Sequence, residues 1–237
     1  MSYRKERAYL QQTDSESSYV TGVPEESLRD LFTEILEQGV HGFCFSLYEE
    51  GQKPGDTITE EQVRRRMQVL KPYTQWIRSF SCTDGNELIP KVAKELGLKT
   101  LVGAWLGNDP EVNEREIKGL VKLAKEGLVD IAAVGNEVMY RKDLTEEELL
   151  AFIYDVKKQI PGIKVGYVDA YYEFSHRPKI TEACDLILCN CYPFWEGCPF
   201  EHSLNYMKQM YNQAVAAGNG KEVIITETGW PSQGENL

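Results

Sequence analysis

The chain has 237 residues, enough for one sizeable domain, with 42% apolar and 27% charged residues, ordinary globular usage. Its 26 basic and 37 acidic residues leave a formal charge of −11, which repels phosphate backbones and argues against a nucleic-acid partner. No run is apolar and long enough to span a bilayer, and the polar start Met1–Arg7 leads into no signal-peptide core. The chain as written is therefore expected in the cytoplasm, or secreted or periplasmic where a leader has been removed.

Residues 1–22 are polar and turn-rich and read as a loose leader to a single domain over 23–237. A helix is predicted from Ser27 to Leu36, ending at Gly39, then a strand over Gly42–Tyr48. A helix starts at Thr59, with Glu60 and Glu61 favouring its N-terminus. Trp76–Ser81 reads as the second strand, Asn86–Leu96 as a helix stopped by Gly97, and Thr100–Trp105 as the third strand. The helix Asn113–Lys125 precedes a fourth strand, Asp130–Glu137. Thr145 and Glu148 stand three apart as a capping box for the next helix. Lys164–Asp169, Leu186–Tyr192 and Val223–Glu227 are the fifth, sixth and seventh strands, with a helix over Ser203–Ala217 between the last two.

Short apolar strands alternating with helices imply βαβ units and a parallel sheet buried on both faces. Seven such strands fit a doubly wound sheet or most of a (β/α)8 TIM-type barrel. No glycine-rich phosphate loop follows the first strand, which weighs against the doubly wound dinucleotide fold. The six cysteines include no CxxC pair and only three histidines accompany them, so a zinc site is not expected. They read as small buried thiols, with Cys189 and Cys191 on one strand face.

Functional groups of parallel α/β folds collect at the C-terminal ends of strands. Here those ends carry Gly135-Asn136-Glu137 on strand four, Thr226-Glu227 on strand seven, Asp169 on strand five and Tyr192 on strand six, with Arg78 inside strand two. A glutamate closing an apolar strand is costly to desolvate unless paired or solvated. Two of them facing each other across a barrel mouth, roughly 5–5.5 Å apart, would suit a retaining glycosidase. The competing reading is structural, with both glutamates in salt bridges such as one to Arg78. Trp105, Tyr192, Phe194, Trp195 and Trp230 lie at or just after strand ends, where flat aromatic faces bind sugar rings; core packing is the alternative for each. Tyr171–Phe174 is expected as a loop lining the cleft, and His176 and His202 as surface residues.

Val134-Gly135-Asn136-Glu137-Val138 and Ile225-Thr226-Glu227-Thr228-Gly229-Trp230-Pro231-Ser232 resemble the two signature segments of glycoside hydrolase family 17, from about Gly42 to the C-terminus. That family holds β-1,3-glucanases, lichenases and fungal β-1,3-glucan glucosyltransferases. The resemblance implies Glu137 as acid/base, Glu227 as nucleophile, Asn136 on the sugar 2-hydroxyl and Arg78 keeping Glu227 ionised. It makes residues 23–237 a catalytic barrel acting on a β-glucan polysaccharide or oligosaccharide without metal or organic cofactor. Tyr192, Trp230, Trp195, Trp105 and Asp169 are the further residues expected to touch substrate.

The family barrel has eight βα units, whereas seven strands are visible here before Leu237. Truncation is the expected reason, against a piece supplied by another chain or a naturally reduced protein. An open barrel leaves unpaired edges on the first and seventh strands, through which self-association is expected. Glucosyl transfer and glucan binding without turnover are the alternatives to hydrolysis.

Overall fold

The computed structural model describes residues 23–231; the leader expected over 1–22 lies outside the described residues. Seven parallel strands form one sheet in chain order: β1 (Val40–Cys44), β2 (Thr74–Ser79), β3 (Lys99–Ala104), β4 (Ile131–Asn136), β5 (Lys164–Ala170), β6 (Ile187–Asn190) and β7 (Val223–Glu227). Helix α1 (Glu25–Gln38) precedes β1. The crossovers carry α2 (Glu60–Leu70), α3 (Leu88–Glu95), α4 (Pro110–Lys125), α5 (Val138–Arg141) with α6 (Glu146–Gln159), α7 (Glu173–His176) with α8 (Pro178–Ala183), and α9 (Ser203–Gly218). Each strand neighbours its predecessor, and the sheet curls into a nearly closed barrel. Among the described residues no ladder joins β1 to β7; where their C-terminal ends meet, the Cys44 thiol donates to the Thr226 carbonyl at 3.2 Å. A cavity of about 570 Å³ lies between these strands, lined by Phe43, Cys44, Trp76 and Ile224 and reaching Arg78 and Glu227.

Strand alternation sends side chains into two apolar layers. Leu101, Ile131, Ala133, Val168, Leu186 and Leu188 fill the barrel interior with Trp76 and Ile224. Val134, Val165, Tyr167, Ile187 and Cys189 point outward and pack under the helices against residues such as Leu120, Leu149 and Ile153. Each fully buried Leu, Ile or Val contributes about 1.5–3 kcal/mol. A smaller cluster packs Phe45 and Leu47 against Val63 and Met67 of α2 and Ile89 and Val92 of α3.

Helix boundaries follow local chemistry. The Thr59 hydroxyl caps α2 through the Gln62 N–H at 3.2 Å, and Thr145 and Glu148 form the expected reciprocal capping box on α6. Gly97 follows α3 at φ +77°, a left-handed conformation that glycine adopts without a Cβ penalty. Helix α1 buries none of its residues and leaves Leu31, Phe32 and Ile35 exposed.

The first two strands start two residues earlier than the hydrophobic runs suggest, because pairing starts at Val40 with Thr74. β1 ends at Cys44, although Phe45 N–H still donates to the Arg78 carbonyl at 2.9 Å; Phe45 and Leu47 pack with the residues of α2 and α3. The short helices α5, α7 and α8 carry no periodicity long enough to announce them. The Tyr171–Phe174 stretch is not the expected cleft loop: Tyr171 and Phe174 are buried in the helix-facing core, and Glu173 opens α7. Five cysteines are buried free thiols as expected, with Cys189 and Cys191 on one face and their sulfurs 3.8 Å apart; Cys44 is the exposed exception. His176 is exposed beside the Tyr172 ring.

Candidate active site

Both strands that end in the singled-out glutamates gain one residue just before them. Along β4 the register runs from Ala133↔Gly166 to Asn136↔Val168, three steps against two. Along β7 it runs from Cys189↔Ile225 to Asn190↔Glu227, two steps against one. Each is a bulge, which re-aims the following side chain. Strict alternation would place Asn136 with the outward Val134, and Glu227 with the outward Ile225. The extra residues bring Asn136 level with inward Val168 and Glu227 level with Asn190 instead. Gly135 carries the β4 bulge at φ +87°, where an added Cβ would stand 2.8 Å from Val138 Cγ2.

Arg78 joins the two ends. It lies inside β2, is 6% exposed, and places Nη1 2.5 Å from Glu227 Oε1 and Nη2 2.6 Å from Asn136 Oδ1. Nη1 also donates to the Thr226 carbonyl at 3.3 Å, and the guanidinium covers the Phe80 ring at 4.2 Å. A guanidinium only donates, so Asn136 must turn its oxygen to Arg78 and keep its NH2 as a free-facing donor. The Tyr192 hydroxyl donates to Glu227 Oε2 at 3.1 Å. Burial, with the Glu227 charge beside it, raises the Tyr192 phenol above its ordinary value, so it stays a donor.

Glu137 is held from the other side. Asn190 Nδ2 donates to Glu137 Oε1 at 2.9 Å, while Asn190 Oδ1 accepts from the Thr226 hydroxyl at 2.8 Å. One buried amide thus links the Glu137 carboxylate to the strand that bears Glu227. Glu137 itself stands at φ +52°, a left-handed conformation costing a non-glycine residue about 1–3 kcal/mol. The turn after it carries Arg141, whose guanidinium bonds the Asn136 carbonyl, the Leu106 carbonyl at 2.9 Å and Asp143 at 2.7 Å. The same group covers the Trp105 ring at 4.6 Å. Buried Glu116 of α4 fixes the neighbouring loops, accepting from Trp105 N–H at 3.0 Å, Cys82 N–H at 2.8 Å and the Ser81 hydroxyl at 2.6 Å.

Arg78, Asn136, Glu137, Tyr192 and Glu227 therefore meet at the C-terminal barrel mouth. The tryptophans flank it as exposed surface rather than core: Trp105 on one side, Trp195 and Trp230 on the other. Phe194 stacks edge-on against both Trp195 and Trp230, with centroids 5.0 and 5.3 Å apart. Asp169 does not join them. It shares the outward face of β5 with Val165 and Tyr167, is fully buried, and has no surface to offer a substrate. Neither Asn190 nor Arg141 is given a role by the sequence. Asn190 had a signal, an amide in an apolar strand end; Arg141 had none, since no local pattern marks a residue that joins Asp143 to the Asn136 and Leu106 carbonyls.

The BtgE/BtgC glycoside hydrolase domain matches residues 42–237. A glucan 1,3-beta-glucosidase of Arthroderma benhamiae is 28% identical over 198 residues, 76% of this chain and 63% of that protein. A probable glucan endo-1,3-beta-glucosidase of Aspergillus fumigatus is 26% identical over 75% of this chain and 28% of that protein. The chain thus spans less than two thirds of the length of these relatives. The crystal structure of the glycoside hydrolase family 17 beta-1,3-glucanosyltransferase from Rhizomucor miehei superposes with a TM-score of 0.75 at 31% identity, covering 84% of this chain and 75% of that one.

Proposed function

Because the chain belongs to the BtgE/BtgC glycoside hydrolase domain family, of the family 17 type, we propose that it hydrolyses β-1,3-glucosidic bonds of β-glucans with retention. Glu227 attacks the anomeric carbon and Glu137 protonates the departing oxygen, then activates the water that releases the glycosyl-enzyme. The observation that carries this reading is the Arg78 bridge. A carboxylate paired with a fixed guanidinium is held and aimed, as a nucleophile must be, while Glu137 takes its bond from the neutral Asn190 amide. The free-facing NH2 of Asn136 suits a sugar hydroxyl, and Trp105, Trp195 and Trp230 offer flat walls to sugar rings.

The test is turnover of laminari-oligosaccharides by the chain and by its Glu137→Gln and Glu227→Gln variants, with the product anomer followed by NMR. Loss of turnover in both variants and a β product are expected. Unchanged turnover in either variant, or an α product, removes the assignment. Glucosyl transfer is the second reading, favoured by the glucanosyltransferase name of the solved relative. It uses the same intermediate but resolves it with a sugar hydroxyl, so products longer than the substrate would reveal it. The edges of β1 and β7, which no ladder covers among the described residues, also support association between copies of the chain, which sedimentation would detect as a dimer.

A further inference from the structure

Glu137 opens a turn that its own side chain does not serve. The four residues after it, Val138–Arg141, are helical, and the Glu137 carboxylate makes no bond to their N–H groups. Backbone donors at such a start need a partner from elsewhere. They find it on β5. Met139 N–H donates to the Tyr167 hydroxyl at 2.9 Å, and Tyr140 N–H donates to Asp169 Oδ2 at 3.3 Å. The Tyr167 hydroxyl donates in turn to the same Asp169 oxygen. Between them the Val168 carbonyl accepts the N–H of Glu137 itself at 2.8 Å. Three consecutive residues of β5 thus grip residues 137, 139 and 140. Tyr167 is 1% exposed and Asp169 is 0% exposed, so neither reaches the cleft.

We infer that Tyr167 and Asp169 are positioning residues, a buried brace that satisfies the turn in place of the Glu137 side chain and so leaves the Glu137 carboxylate for the cleft. The chemistry of the alternative is plain. An anionic side chain beside the start of a helical turn is attracted to its exposed N–H groups. A Glu137 that folded onto them would leave Asn190 and point away from the sugar. The brace removes that competition and pays for the left-handed backbone at Glu137. The inference rests on the hydrolase reading only for the use to which Glu137 is put.

The experiment compares the full chain with its Tyr167→Phe and Asp169→Asn variants, folded by far-UV circular dichroism, through two readouts. Amide exchange of the 137–141 segment reports the brace directly, and faster exchange is expected in both variants. The second readout is kcat/KM on laminari-oligosaccharides against kcat/KM on a dinitrophenyl β-glucoside of the same linkage, whose leaving group needs no proton. The oligosaccharide rate should fall about 10-fold or more beyond the activated substrate, since a positioned general acid contributes roughly 10²–10⁴-fold. Unchanged exchange overturns the brace, as does faster exchange with equal loss on both substrates. Tyr167→Phe keeps the ring and the Asp169 carboxylate, so it decides the matter should Asp169→Asn not fold. If the unaltered chain turns over neither substrate, the hydrolase reading fails and the exchange measurement alone decides the brace.

Discussion

Arg78 Nη1 stands 2.5 Å from Glu227 Oε1 inside a barrel mouth where both side chains are largely shielded from water. The pair is not an incidental surface bridge. The other arm of the same guanidinium holds Asn136, so one cation sets the positions of groups from β4 and β7.

Replacing Arg78 by Met leaves the Glu227 charge half-buried without its partner. Breaking a buried pair in this way costs about 3–5 kcal/mol, and the partial exposure of Glu227 places this case at the lower end. Urea unfolding should show a lower midpoint with an unchanged slope. Arg78→Lys restores the charge but not the fork, so it should recover stability in part while glucan turnover stays low.

Asn190→Asp puts a carboxylate beside Glu137 in place of the amide that now donates to it. The variant loses the donor that aims Glu137 and sets a like charge beside it. kcat/KM on laminari-oligosaccharides should fall about 10-fold or more, since a positioned general acid contributes roughly 10²–10⁴-fold. A folded variant that turns over unchanged means that Asn190 does not position Glu137.

Asp169 gives a pH signature in stability. Burial raises its pKa to about 7, with Glu173 adding to the rise and the donors from Tyr167, Ala170 and Tyr140 opposing it. In the unfolded chain the group titrates near its ordinary value of about 3.9. Between these values the folded state keeps the proton and the unfolded state has lost it, so stability falls as pH rises. The contribution is fully present below about pH 4 and is lost by about pH 7. Asp169→Asn removes this group's slope, and the difference in unfolding free energy between the two proteins should change across that window and be flat outside it.

Gly135→Ala tests the β4 bulge. At φ +87° an L-residue is strained, and the new Cβ would meet Val138 Cγ2 at 2.8 Å and the Tyr167 ring at 3.4 Å. A loss above about 1 kcal/mol is expected from the backbone alone. Glucan turnover should fall further than stability, because the bulge aims Asn136 and leads into Glu137.

Much of this was legible in the chain. The alternation of apolar runs with amphipathic helices places all seven strands; the polar strand ends mark Asn136, Glu137, Tyr192 and Glu227, and Arg78 stands out inside the second strand, all of which meet in space. Asp169 shows where such reading fails. Period two puts it with Val165 and Tyr167, but in a parallel barrel both faces of a strand are apolar, and sequence does not say which face looks into the barrel. The roles of Asn190 and Arg141 escape for a related reason: the Glu137 carboxylate and the Leu106 carbonyl that they hold lie more than 30 residues away in the chain.

By itself the sequence determined the parallel βα order and the delivery of two glutamates to the C-terminal ends of β4 and β7, because these follow from periodicity and local capping. Which way those glutamates face was decided by tertiary structure. Simple alternation would turn Glu227 toward the helices with Val223 and Ile225. One extra residue in each strand, tolerated because Gly135 and the neighbouring registers absorb it, turns Asn136 and Glu227 onto Arg78.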